Sequence, residues 1–373
     1  MLIEFGAAEI IGKRHLQQDA LFIAEAFDAL EEKACDKAII ESFATFIPYF
    51  QKRYQEGGST SLVTLSQKTN DHILQVDVAN MGDSLALILL CDAEGHLEEL
   101  LLLNALHQAA NSIEKNRVIK AGGSFQNGYL ENYEDGLLEV TRSVGDGSFI
   151  YCGLLQEPEL HHYTIDVGNR QAYLIQTCDG FSETVLKEIK ADSSTEAGRK
   201  IYAEKLFEWI KSFLSKEDFQ NFNAKKIAAK CVAAAWSSGS KDNVSVFCRK
   251  INEQKYLTML NDGHGKVGEE VAKRAGEEFL SAFSRYVSLQ LLDLNSLMVE
   301  DKEWCSTEAL NTYLSGSSTG FICRQLEFPV SNASPETFSD DDSFNVPLLE
   351  KENNDNKDDE EIIVVEKSRC LVM

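Results

Sequence analysis

Basic residues are scarce in this chain: 36 Lys and Arg stand against 60 Asp and Glu, a formal charge of −24. Such a field repels phosphate backbones, which excludes nucleic acid as a main partner and favours cations, divalent metal included, or basic proteins. No CxxC pair occurs among the nine scattered cysteines, so neither a zinc site nor a disulfide framework is indicated, and a reducing compartment is expected. No run approaches the roughly eighteen apolar residues of a membrane span; "LALILL" and "LLLLNAL" have strand or buried-helix length. No basic stretch precedes an apolar run in "MLIEFGAAEI", which argues against a secretory signal. No Gly-rich loop has the spacing that cradles nucleotide phosphates.

What is present is enough for a core: 43% of the 373 residues are hydrophobic, which suits one large domain with a tail or two small domains. Strands are predicted at "ALFIAE", "SLVTLSQ", "ILQVDVANMG", "SLALILLCD", "AYLIQTCDG", "VSVFCRK" and "YLTML". Helices are predicted at Ala29 to Tyr54, Ile113 to Ala121, Thr195 to Leu214 and Ala224 to Ser237. A further helix, Lys266 to Val287, puts Val267, Val271, Ala275, Phe279, Phe283 and Val287 on one stripe, with Glu269 and Glu270 in its first turn. Strands with helices around them favour helix layered on antiparallel sheet over a bundle. From Ser331 onward 12 acidic residues face 4 basic ones without periodicity, which predicts disorder. The division is therefore a domain at 1–328 and an acidic tail at 329–373.

Four acidic residues punctuate strand ends: Asp19 in "RHLQQDA", Asp179 in "TCDGFSE", Asp242 in "SKDN" and Asp262 in "NDGHG". Carboxylates followed by Gly or Asn are ordinary turn formers as well as hard-metal ligands, and one alone reads as a turn. Four together, with an Arg and a His beside them, read as a site. Oxygen ligands without a Cys or His cluster point to Mg or Mn.

These blocks resemble the metal-dependent type 2C serine/threonine protein phosphatases. The resemblance runs in order through "RHLQQD", "GGSTSLVTL", "VANMGDSLALIL", "HQAANSIEKNRVIKAGG", "GLLEVTRSVGD", "QEPEL", "YLIQTCDGFSE" and "GSKDNVSVFC". It implies an α+β fold, a four-layer α/β/β/α sandwich of two antiparallel sheets flanked by helices, with the site at one edge. One family block, a strand ending in Asp-Gly-His-Gly before a helix, is absent from its usual place between Asp19 and Ser59 and stands instead at Lys255 to Val287. A permuted order follows if "VSVFCRK" and "YLTML" form a hairpin centred near Asn252 and Glu253, which sets Asp242 almost opposite Asp262.

The resemblance further implies that Asp262 bridges two Mg or Mn ions, with the carbonyl of Gly263 on one of them. Asp179 and Asp242 complete the first ion's protein ligands, and Asp19 holds water on the second. Arg14 grips phosphate oxygens, and His264 protonates the departing seryl or threonyl oxygen. Asp146 and Glu183 match weaker third-ion positions. Gln18 stands where the family usually has Glu, and Lys266 replaces a usual Gly. The expected partner is a phosphoprotein substrate, bound by a monomer, with the flap Ser124 to Gly136 shaping its choice. A binding module that keeps the fold without turnover is the alternative.

Two features lie outside the resemblance. "LSGSSTGFICRQL", Leu314 to Leu326, echoes "GGSTSLVTL" and reads as a duplicated remnant, an extra strand or a chance similarity. The terminal "CLVM" fits prenylation of Cys370, a weak reversible anchor on the cytoplasmic side of a eukaryotic membrane, with a cytosolic protein as the alternative. The acidic tail is similar to translocation signals of bacterial effectors secreted into host cells, and a eukaryotic phosphatase with a lipid tail fits as well. Partitioning of Cys370→Ser into the cytosol checks the anchor.

Overall fold

A computed structural model describes residues 5–25, 32–132, 134, 136–296, 323–326 and 363–364. Cys370, most of the acidic tail and the start of the helix expected from Ala29 lie outside these residues. No helix among the described residues is long and apolar enough to cross a membrane.

The apolar runs pair into two six-stranded antiparallel sheets. The first takes β1 (Phe5–Ile10), β6 (Leu85–Cys91), β7 (Leu97–Leu102), β13 (Gln171–Thr177), β14 (Val244–Lys250) and β18 (Ile363–Val364), ordered β18-β1-β14-β13-β6-β7. The second takes β2 (Ala20–Glu25), β4 (Ser61–Lys68), β5 (Ile73–Met81), β12 (Glu159–Asp166), β15 (Tyr256–Asn261) and β17 (Cys323–Leu326), ordered β12-β5-β4-β15-β2-β17. β17, drawn from the segment that echoes "GGSTSLVTL", is thus an extra edge strand beside β2.

Leu62, Val76, Val78, Ile88, Leu174, Phe247 and Leu260 fill the space between the sheets. The outer face of the first sheet is covered by α4 (Glu196–Lys211) and α6 (Ala224–Ser237). The outer face of the second is covered by α1 (Glu32–Arg53) and α7 (Gly268–Ser296). The result is the expected four-layer α/β/β/α sandwich. Shorter pieces complete it: α2 (Ser112–Lys120), α3 (Glu183–Leu186), α5 (Lys216–Gln220), the flap strands β8 (Ser124–Gln126), β9 (Tyr129–Glu131) and β10 (Leu137–Leu138), and a small sheet of β3 (Gly57–Ser59), β11 (Val144–Gly145) and β16 (Gly263–Gly265).

Side-chain spacing and caps explain the helices. In α7 the residues Val271, Ala275, Phe279, Phe283 and Val287 are all buried, and Phe279 meets Phe43 of α1 at a ring separation of 4.7 Å. Each large side chain buried in this way contributes roughly 1.5–3 kcal/mol. The helix sits so close to β2 that a Cβ on Gly276 would lie 2.1 Å from the Phe22 ring. Asn111, Thr195 and Asn223 cap α2, α4 and α6 by accepting first-turn N–H groups.

The expected hairpin is not formed. β14 pairs with β1 and β13 in the first sheet, whereas β15 pairs with β2 and β4 in the second. Both edges of each strand are taken by strands distant in sequence, so residues 251–255 cross between sheets instead of turning within one. Ile251 N–H donates to the Ala172 carbonyl at 2.9 Å and Lys68 N–H to the Asn252 carbonyl at 2.7 Å, tying the crossing to both layers. The chain still reverses direction there. Asp242 and Asp262 return to one end of the sandwich, facing each other across the layers.

Candidate metal centre

The ladders themselves gather the acids. β15 and β2 pair with Asn261 opposite Ala20, so one further step puts Asp262 opposite Asp19. β13 and β6 pair with Thr177 opposite Leu85, so two further steps put Asp179 opposite Asp83. Asp242 opens β14 at the same end. Asp83, which lies between the predicted strands "ILQVDVANMG" and "SLALILLCD", is not among the four acids of the sequence pattern; the constant index sum of the antiparallel pair is the signal that finds it.

Asp19 and Asp262 bring carboxylate oxygens within 4.8 Å of each other and of Cys178 Sγ. Both Asp19 oxygens are out of solvent and accept no hydrogen bond of ordinary geometry, although Ser245, Asp262 and Cys178 stand near. Burial pushes the Asp19 carboxyl up to about 6. Burial first, then the charges of Asp19, Asp179, Asp242 and Asp83, raises Asp262 well above the usual carboxylate range. Asp179 is raised in the same way by burial, Asp83 and Asp242. Asp83, enclosed and receiving Gln108 Nε2 at 2.7 Å, is raised by burial as well. Gln108 also reaches Glu139 at 3.3 Å; burial and then Asp83 push the Glu139 carboxyl up to about 7. Cys178 is not presented as a ligand: its Sγ donates to the Asn243 carbonyl at 3.3 Å and accepts the Ser245 N–H at 3.1 Å.

Buried carboxylates this close repel unless protons or cations lie between them, and the unsatisfied oxygens of Asp19 are short of a positive partner. An oxygen-only donor set of this kind fits Mg or Mn.

The remaining predicted residues divide. Arg14 reaches over the cluster from the 11–19 loop, and its Nη2 pairs with Asp242 Oδ2. That bond, with the charges of Asp179 and Asp262 behind it, raises its pKa. His264 stands on β16, and its Nε2 meets Asp146 Oδ2 at 2.7 Å. Burial alone would lower the imidazole pKa, but the charge and hydrogen bond of Asp146 outweigh it and raise the value. Asp146 is engaged through that same oxygen by His264 and by Ser143 Oγ at 2.6 Å. Glu183 accepts Ser240 Oγ at 2.8 Å and the Lys241 N–H at 3.3 Å through one oxygen. A Cβ on Gly263 would lie 2.4 Å from the carbonyls of Gln18 and Gly268, so the residue after Asp262 has to be glycine. Lys266 stays at the surface against Glu56.

The model of the family "Protein phosphatase 2C" matches residues 7–244, well over half of the chain, and the chain belongs to that family. The human integrin-linked kinase-associated serine/threonine phosphatase 2C is 28% identical over 234 residues, 59% of this chain and 53% of that protein. "Probable protein phosphatase 2C 67" of Oryza sativa subsp. japonica is 30% identical over 183 residues, 45% of this chain and 47% of that protein. The chain spans about half the length of the curated relatives it matches. A solved phosphatase from Toxoplasma gondii covers 68% of this chain and 95% of its own at 16% identity and a TM-score of 0.43, too loose a likeness to add to the family match. Residues 262–265 lie beyond the matched span.

Proposed function

We propose that this chain is a metal-dependent phosphatase of phosphoserine and phosphothreonine in proteins, its site completed by a family block placed in permuted order after β14. The observation that supports this most is the meeting of Asp262 with Asp19, Asp179 and Asp242 at one end of the sandwich, although Asp262 lies outside the matched residues. Asp19, Asp179, Asp242 and Asp262, with the Gly263 carbonyl, would hold the Mg or Mn ions, and Asp83 with Glu183 would face a weaker position. When bound, such ions supply Lewis acidity toward phosphate oxygens and make water more acidic.

The chain's own groups do the rest. Arg14, half exposed at the mouth, presents a planar fork that suits two phosphate oxygens. Asp146 fixes the His264 ring through Nε2 and favours its protonated form, leaving Nδ1 to give a proton to the departing oxygen.

The test is phosphate release from a phosphoseryl peptide with Mn. His264→Ala is expected to slow it by about 10²–10⁴-fold, and Asp262→Ala to abolish it. Undiminished turnover by Asp262→Ala overturns the proposal. A wild type that binds the peptide without turnover is instead a binding module.

A further inference from the structure

β16, which carries His264, is held on one side by β3 and on the other by Gln18. Gln18 contributes three hydrogen bonds. Its N–H donates to Asn243 Oδ1 at 2.9 Å, its carbonyl accepts the Gly263 N–H at 3.1 Å, and its Nε2 donates to the Gly265 carbonyl at 2.9 Å. Asn243 extends the tie by donating Nδ2 to the carbonyls of Ile11 at 2.7 Å and Leu16 at 3.1 Å. The fit is close: a Cβ on Gly268 would lie 2.8 Å from Gln18 Nε2. One side chain therefore bridges the Arg14 loop to the far side of His264.

The polarity of that bridge matters. A carbonyl accepts only, so the Gly265 carbonyl needs a donor, which the amide supplies and a carboxylate does not. Asp262 has its own anchors, since Thr60 N–H donates to its carbonyl at 2.9 Å and its N–H donates to Thr60 Oγ1 at 3.2 Å. Losing the Gln18 amide therefore loosens His264 and Gly265 while leaving Asp262 held.

We propose that Gln18 is a positioning residue, an amide latch that fixes the backbone behind His264 so that its ring meets the leaving oxygen; this rests on the phosphatase reading above. On that view Gln18 is a structural gain rather than a missing carboxylate.

The leaving group separates these ideas. A seryl oxygen departs poorly without a proton, whereas p-nitrophenolate departs without one. Full-length Gln18→Met and Gln18→Glu both remove the donor; only the second adds a carboxylate. The latch predicts that both lower kcat on a phosphoseryl peptide at least tenfold, with KM within threefold. Both lower p-nitrophenyl phosphate turnover by less than threefold, which also shows that the variants fold. In a His264→Ala background Gln18→Met adds nothing further. Equal losses on the two substrates, no loss on the peptide, a gain in activity or Mn affinity with Gln18→Glu, or an undiminished effect in the His264→Ala background each overturn the latch. A wild type without Mn-stimulated turnover of either substrate overturns the phosphatase reading, and the latch with it.

Discussion

At Asp262 burial and four neighbouring carboxylates act in the same direction, so the ionised side chain is penalised in the metal-free fold. A carboxyl raised in this way costs folding stability as pH rises above its unfolded value. Replacing Asp262 by Asn removes the repulsion, and the metal-free protein is expected to gain about 1–3 kcal/mol at neutral pH. The same variant is expected to lose the rise in thermal midpoint that Mn gives the wild type; calorimetry with and without Mn checks both. Glu114 runs the other way. Burial would raise its carboxyl, but Arg117 at 2.7 Å and Arg142 at 2.8 Å outweigh that and hold it at about 2. Its folded pKa is depressed, so its contribution, at most roughly 3 kcal/mol, is present above about pH 4.5 and is lost as pH falls toward 2. Urea unfolding between pH 5 and 3 is expected to fall less steeply for Glu114→Gln than for wild type. Asp19, Asp179, Asp242 and Asp262 were legible because each is an acid at a strand end beside Gly, Asn or a strand start. Asp83 meets the same local rule, beside Gly82 and before a strand, but what brings it to the other acids is the β6–β13 register, which is tertiary. Gln18 was legible as a departure, but its bond to Gly265 depends on a loop more than two hundred residues away.

Among the elements, those with a strong period were read well. α6 was predicted at Ala224 to Ser237 and is found there, and the stripe of α7 is buried from Val271 to Val287. β12 was missed because "ELHHYTID" mixes polar residues into a half-exposed edge strand, and its pairing with β5 across eight positions is tertiary. The expected hairpin fails for a related reason: a short connection favours local pairing, but strands distant in sequence occupy both edges of β14 and of β15. Helix and sheet approach closely at Gly276. Ala is the better helix former by about 1 kcal/mol, yet its methyl meets the enclosed Phe22 ring, and overpacking costs about 1–3 kcal/mol. Three ring atoms within 2.6 Å put the cost at the upper end of that range, so Gly276→Ala is expected to lower stability by a net of about 1–2 kcal/mol. An unchanged or higher unfolding midpoint contradicts the close packing of α7 on β2.

For the molecule as a whole, the four layers followed from strand and helix patterns together with the resemblance, because two sheets that each bury both faces need helices outside. What sequence order concealed was that β15 enters the middle of the second sheet, between β4 and β2, so the segment after Lys250 belongs to the core as well as to the site. The two roles are coupled: the strand that closes the sheet also delivers Asp262. The most direct measurement is an anomalous difference map at the manganese edge from crystals of the full chain grown with Mn. The account predicts peaks in contact with Asp262 and flanked by Asp19, Asp179 and Asp242. Manganese bound elsewhere, or none at Asp262 in crystals saturated with the ion, contradicts it.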